Sequence, residues 1–418
     1  MDMELNFEPL SGRARAQLGK RSNIEPSGGV CRYLAVSVVA LLALFSVACS
    51  DMAIAGELPS KVKITVHCRS DGVAISFHSQ KPAQSFQFDI PETVLSSGDV
   101  RLATYNLNFA HGQVTTKNKS AFTTFTLRVK PTAQEFDRTY PALTRVGETG
   151  AVIYLPYFLP RSVKAEVHYD LPKLYQVFSG TPDAQRGNRR ELRQDGYVFI
   201  GPTRYLHDDG VLSAAAPNFP GALRTQISEN AKTAVAFYSK QLGFPLAEHP
   251  RIVIALDEPT YFQWHGDTTP GLMMSLRFHL PRNAPAIDAK DLEHFVFHEA
   301  FHYWNGYLFN PPTDVWLSEG GAEYAAYVLQ RELGHIDQVE FDRTMIDGLN
   351  SCVADLSTKN LGSAAGNFGR APYSCGMIIQ WIVDLETRRQ TSGRNTILSV
   401  WRNIFLKAAA LSDKQYSV

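Results

Sequence analysis

The run His298-Glu299-Ala300-Phe301-His302 constrains this chain more than any other part of it. Two histidines four positions apart share a face only on a helix, one turn apart, where both imidazoles can reach a single ion. The fold must therefore supply a helix whose one face packs and whose other face meets an open site. Glu299 lies beside the pair, placed to take a proton from a water on that ion, which is the chemistry of zinc-assisted hydrolysis. The flanks agree. Residues 288–307 read as one helix, with Asp288 as its cap, Asp291 and Glu293 in its first turn and Gly306 able to end it. Leu292, Phe295 and Phe301 supply its apolar contacts.

A catalytic zinc takes three protein ligands and keeps the fourth place for water. Residues 315–324 read Val-Trp-Leu-Ser-Glu-Gly-Gly-Ala-Glu-Tyr. A second helix beginning near Thr313 or Asp314 and running to Gly334 carries Glu319 in its first turn. The linker, residues 308–312, is short and holds two prolines, so the helices fold back on one another and bring Glu319 towards His298 and His302. The set implies Zn2+ on His298, His302 and Glu319, with Glu299 as general base.

These stretches, His-Glu-Ala-Phe-His-Tyr-Trp-Asn-Gly and then Trp-Leu-Ser-Glu-Gly-Gly-Ala-Glu-Tyr, resemble the gluzincin metallopeptidases, in particular the aminopeptidase N and glycyl-aminopeptidase families. The resemblance implies the same three ligands and the same base. Trp304 and Gly306 match one family's pattern, Trp304-Asn305 the other's, and Tyr324 falls where both place a tyrosine. Tyr373, in Tyr373-Ser374-Cys375-Gly376, matches the position whose hydroxyl stabilises the oxyanion; a tyrosine merely packed at a helix start is the other reading. Two departures stand. Sixteen residues separate His302 from Glu319, about two fewer than in aminopeptidase N. The stretch taken as the counterpart of the amine-anchoring strand, residues 270–275, has no carboxylate. Aminopeptidase and endopeptidase readings both remain open.

Several neighbours carry two readings each. His294 is a helix-face residue or supports a ligand. Glu323 holds a ligand histidine's tautomer or is an exposed carboxylate. Asp314 caps the second helix or serves the site. His265 reads as a loop residue.

Lysine plus arginine equals aspartate plus glutamate at 41 each, so no charge bias towards nucleic acid exists. Residues 1–55 read as a leader. Basic residues up to Arg32 precede an uncharged run from Tyr33 to Ser50, and Ala53-Ile54-Ala55 offers a cleavage site. Signal cleavage, lipidation at Cys49 and an uncleaved membrane anchor all export the remainder, to a periplasmic, secreted or membrane-anchored location. In an oxidising compartment Cys352 and Cys375 form the natural disulfide, against a reading of free thiols that includes Cys68. Residues 57–165 alternate with period two, as in Val62, Ile64, Val66 and Phe125, Leu127, Val129. The expected class is α+β: an N-terminal antiparallel β-sandwich followed, over residues 166–418, by a thermolysin-like zinc peptidase domain. The expected function is an exported zinc peptidase acting on peptide or protein. The alternative is a non-catalytic peptide- or envelope-binding protein on the same scaffold. Oligomeric state is not legible.

Overall fold

A computed structural model describes residues 61–417, apart from residues 70, 119, 133–138, 180–195, 248, 258–262, 282–285, 313, 357–360 and 362–368. The leader with Cys49, the basic stretch at 186–193, Thr313 and most of the glycine-rich run at 360–369 lie outside the described residues. Among the described residues no helix is long and apolar enough to cross a membrane.

The first half is built of strands: β1 (Lys61–Arg69), β2 (Gly72–Ala83), β3 (Ser85–Gln87), β4 (Val100–Leu102), β5 (Leu107–Ala110), β6 (Gln113–Thr116), β7 (Phe122–Val129), β8 (Leu143–Val146), β9 (Gly150–Tyr154), β10 (Lys164–Asp170), β11 (Tyr175–Ser179) and β12 (Tyr197–Pro202), with one short helix, α1 (Glu92–Ser97), before β4. They form sheets ordered β10-β1-β2-β7-β4, β3-β6-β5 and β11-β12-β9-β8. The period-two residues of β1 and β7 are buried as their alternation requires. One pairing departs from the all-antiparallel expectation: β1 and β10 run parallel. A parallel partner needs a long crossover, and the chain makes it by passing through β8 and β9 of another sheet first.

Every residue of β12 is buried, as a strand covered on both faces must be. Val198 and Ile200 join the core containing Val62 and Phe125. Tyr197 and Phe199 turn the other way and meet Val253 and Met273. That second contact docks the β layers onto the sheet that frames the site.

This sheet comprises β13 (Leu206–Asp208), β14 (Leu212–Ala215), β15 (Arg251–Asp257), β16 (Gln263–Thr269) and β17 (Met273–His279), in the order β13-β14-β15-β17-β16. Ile252 and Ile254 of β15 face the helices, while Val253 and Ala255 face the β layers. The helices are α2 (Gly221–Leu242), α3 (Ala289–His302), α4 (Val315–Glu332), α5 (Gln338–Leu356), α6 (Ala371–Thr391) and α7 (Ile397–Ala409). On α2, Ile227, Ala231, Ala234 and Tyr238 form the buried stripe, and Gly243 at φ +77° ends the helix.

The edge strand is not where the sequence pattern places it. Residues 270–275, matched to the amine-anchoring edge strand, lead into β17, but β17 is interior, between β15 and β16, and all seven of its residues are buried. The edge is β16, antiparallel to β17. Its Gly-Asp-Thr-Thr composition gives no apolar alternation, which is why the sequence reads as a loop at His265. His265 instead lies on this strand.

Candidate metal centre

Asp288 caps α3, accepting the backbone N–H groups of Lys290 and Asp291. Leu292, Val296, Phe297 and Phe301 bind the helix to the core, which turns His294, His298 and His302 to the cleft. The α-helical part ends at His302, short of 307, and Gly306 does not end it. After His302 the backbone widens into a π-helical segment, Tyr303–Leu308, a feature common at functional sites. Trp304 and Asn305 are fully buried there. Helix α4 starts at Val315; Asp314 occupies its N-cap, but its side chain makes no capping bond.

The fold-back brings three donors together. His298 Nε2 lies 3.2 Å from His302 Nε2, and Glu319 Oε2 lies 3.3 and 3.4 Å from the two rings. Zinc bonds of about 2.0–2.1 Å in a tetrahedron span ligand-to-ligand edges of roughly 3.3 Å, so the spacing fits such an ion. The tautomers fit as well. Glu323 Oε2 accepts from His298 Nδ1 at 2.9 Å. Asn305 Oδ1 accepts from His302 Nδ1 at 2.8 Å, its orientation set by Nδ2 donating to Ser318 O at 2.7 Å. With both Nδ1 atoms donating, both Nε2 lone pairs point inward. Two lone pairs and a carboxylate converging in this way repel one another unless a cation sits between them. The surroundings favour positive charge: burial works against charge on His298, but its bonds to Glu319 and Glu323 outweigh that and raise its pKa to about 10.

Glu299 is buried beside this set. Burial raises its pKa, against the opposing pull of His302 and His298. The Thr268 hydroxyl donates to the Glu299 backbone oxygen at 2.8 Å and lies 3.4 Å from Oε2. Gly266 leaves the space the carboxylate fills: a Cβ there would sit 2.4 Å from Glu299 Oε1. Tyr373, in the first turn of α6, has its ring 5.8 Å from that of His298. Two cavities of about 690 and 660 Å³ flank the donors, and both are lined by Glu299 and Tyr373.

The remaining candidates also find places. His294 lies 3.2 Å from Glu323 Oε1 and its ring tilts against that of Tyr327, so Glu323 faces two histidines and is not an exposed carboxylate. Tyr324 is buried and donates to Asp384 at 2.9 Å, away from the cleft. Cys352 and Cys375 are disulfide-bonded; Cys68 is a free thiol, pushed up to about 11 by burial. Sequence reasoning missed Gly266, and it matched Asn305 to a motif without reading the bonds its amide makes. A glycine inside a strand signals close approach, but only where the strand itself is recognised.

No protein-family model matches the sequence, and no curated protein matches it. Solved structures do match. An aminopeptidase N family protein from Idiomarina loihiensis superposes with a TM-score of 0.59 at 14% identity, over 84% of this chain and 72% of that one. The chain has an aminopeptidase-like fold. Legionella pneumophila aminopeptidase A, in complex with aspartic acid, aligns at a TM-score of 0.49 and 12% identity, over 84% of this chain and 46% of its own. Within the aminopeptidase-like fold of this chain, the edge strand, α3 and α4 meet around the donors described above.

Proposed function

We propose that this chain is an exported zinc-dependent peptidase of gluzincin type. The observation that carries the reading is the triad of His298, His302 and Glu319 at tetrahedral spacing with a buried carboxylate, Glu299, beside it. His298, His302 and Glu319 hold the ion, and Glu323 and Asn305 keep the two rings in the donor tautomer. When bound, zinc polarises a scissile carbonyl and lowers the pKa of water.

Glu299 takes the proton from the attacking water and hands it to the departing nitrogen. Burial raises its pKa, which strengthens it as a proton acceptor. Thr268 and Gly266 hold it in place. The Tyr373 hydroxyl donates to the developing oxyanion. The edge strand β16 borders the cleft, so an extended peptide can lie along it. The one carboxylate on that strand, Asp267, is engaged by the Arg277 guanidinium at 2.5 Å and the Tyr197 hydroxyl at 3.0 Å. This favours a site that does not depend on a free substrate amine.

Glu299→Gln tests the proposal. It should abolish peptide hydrolysis while leaving about one zinc per chain; full activity in this variant would refute it. A panel of free and N-acetylated peptides reads the specificity, because an aminopeptidase must reject the blocked ones. Export, with membrane attachment through the leader or a lipidated Cys49, rests on residues 1–55 and accords with the Cys352–Cys375 disulfide. Cell fractionation tests it, and cytosolic recovery would overturn it.

A further inference from the structure

Asn305 is not among the metal donors, yet the two donor-bearing helices meet at this residue. It is fully buried. Its Oδ1 orients His302, and its Nδ2 donates to the carbonyl of Ser318, the residue before Glu319. Its own backbone carbonyl accepts the Tyr416 hydroxyl at 2.7 Å. Tyr416 is buried against Trp401 and Phe405. Its segment also pairs with the linker between α3 and α4, through Asn310 N–H to Lys414 O at 3.0 Å and Tyr416 N–H to Asn310 O at 3.2 Å.

An amide suits this position better than any other side chain. A carboxylate would set an acceptor against the Ser318 carbonyl. An apolar group would strand the His302 Nδ1–H and remove the tie to the Ser318 carbonyl, and an unpaired buried donor is costly. We propose that Asn305 is a positioning residue that couples the orientation of His302 to the placement of Glu319, and that Tyr416 clasps it from the C-terminal segment. This rests on the zinc reading above. It adds that the donor triangle is held by one amide and by residues more than a hundred positions downstream.

The test is zinc affinity by equilibrium dialysis, with the electronic spectrum of the cobalt(II)-substituted full-length protein, on chains shown to be folded by circular dichroism. Asn305→Leu should weaken zinc binding about 10- to 100-fold and shift the cobalt bands. Asn305→Asp should recover part of that loss, because it restores the acceptor for His302. Tyr416→Phe keeps the ring packing and should weaken binding about threefold to tenfold. A folded Asn305→Leu chain with parental affinity and spectrum overturns the proposal, even if its melting temperature falls, since that marks a merely structural contact. If Asn305→Leu does not fold, Tyr416→Phe decides, and parental affinity there is equally fatal. A parent chain that takes up no zinc brings down this proposal and the peptidase reading together. A parent that binds zinc alongside indifferent variants sinks this proposal alone.

Discussion

Adding one methyl group at Gly266 should separate metal binding from catalysis. Gly266 pairs with Leu276 across β16 and β17. A Cβ built there meets Glu299 Cδ and Oε1 at 2.4 Å and Cγ at 2.6 Å, where ordinary contacts begin near 3.4 Å. Something must therefore retreat by about 1 Å. The strand is held by its full register to β17, and the Glu299 backbone is held by helix α3 and the Thr268 hydroxyl. The carboxylate is the part free to give way. A reacting group displaced by about 1 Å loses roughly 100-fold in rate, or about 2.7 kcal/mol of transition-state stabilisation. The nearest atoms to the added methyl all belong to Glu299, so the zinc donors should keep their places. The assay is kcat/KM on a fluorogenic peptide together with zinc content by atomic emission. Gly266→Ala should lose about 100-fold in kcat/KM at unchanged zinc, and combining it with Glu299→Gln should add little, since both act through one group. Activity within about threefold of the parent would refute the argument that the carboxylate's position governs the rate. Loss of zinc in parallel would refute the separation.

Tyr373→Phe should lower kcat by about 100-fold with little change in KM, as removal of an oxyanion donor does; an unchanged kcat would return Tyr373 to a packing role. With the His298 pKa raised to about 10 by Glu319 and Glu323, zinc uptake would displace a proton. Apparent zinc affinity should rise roughly tenfold per pH unit from about pH 6 to about pH 8, and a flat profile would contradict the shared site. Replacing Cys352 and Cys375 by alanine opens a link between residues 23 apart and should cost about 3 kcal/mol in denaturant unfolding; a loss under about 1 kcal/mol would show that the bridge does little for the fold. A chelator should abolish hydrolysis and added zinc restore it, and persistent activity in the metal-free chain would end the zinc reading.

The parts of the site legible in the sequence are those whose spacing is set by a single element. His298, Glu299 and His302 read as a unit because one helical turn joins them. Glu319 was reached through a short linker with two prolines, which limits where the next helix can go. The buried alternation of β1 and β7 was legible for the same reason, period two against one core. What was not legible depends on pairing across the chain. Strand β16 shows no apolar pattern because as an edge strand it has a single neighbour and borders an open cleft. The roles of Gly266 and Asp267, and the strand position of His265, therefore stayed hidden behind a loop expectation. Asn305 differs: the Trp304-Asn305 match marks its position, but its role lies in three partners from three segments, His302, Ser318 and Tyr416, and no local pattern gives those bonds.

The glycines after Glu319 show how far the local motif reaches into the tertiary fold. A Cβ at Gly320 would lie 2.3 Å from Gly376 Cα, and one at Gly376 would lie 2.3 Å from the Trp316 carbonyl oxygen. Helices α4 and α6 therefore cross backbone against backbone, as only paired glycines permit. Gly320 follows Glu319 directly, and Gly376 lies three residues after Tyr373. The same close crossing thus sets the distance between the third candidate metal donor and the candidate oxyanion donor. Gly321 packs in turn against Trp401 of α7, where a Cβ would meet the indole at 2.5 Å. Trp-Leu-Ser-Glu-Gly-Gly is consequently not a ligand with spacer residues. It couples one carboxylate to two neighbouring helices, so a change at either glycine should disturb Glu319 and Tyr373 together.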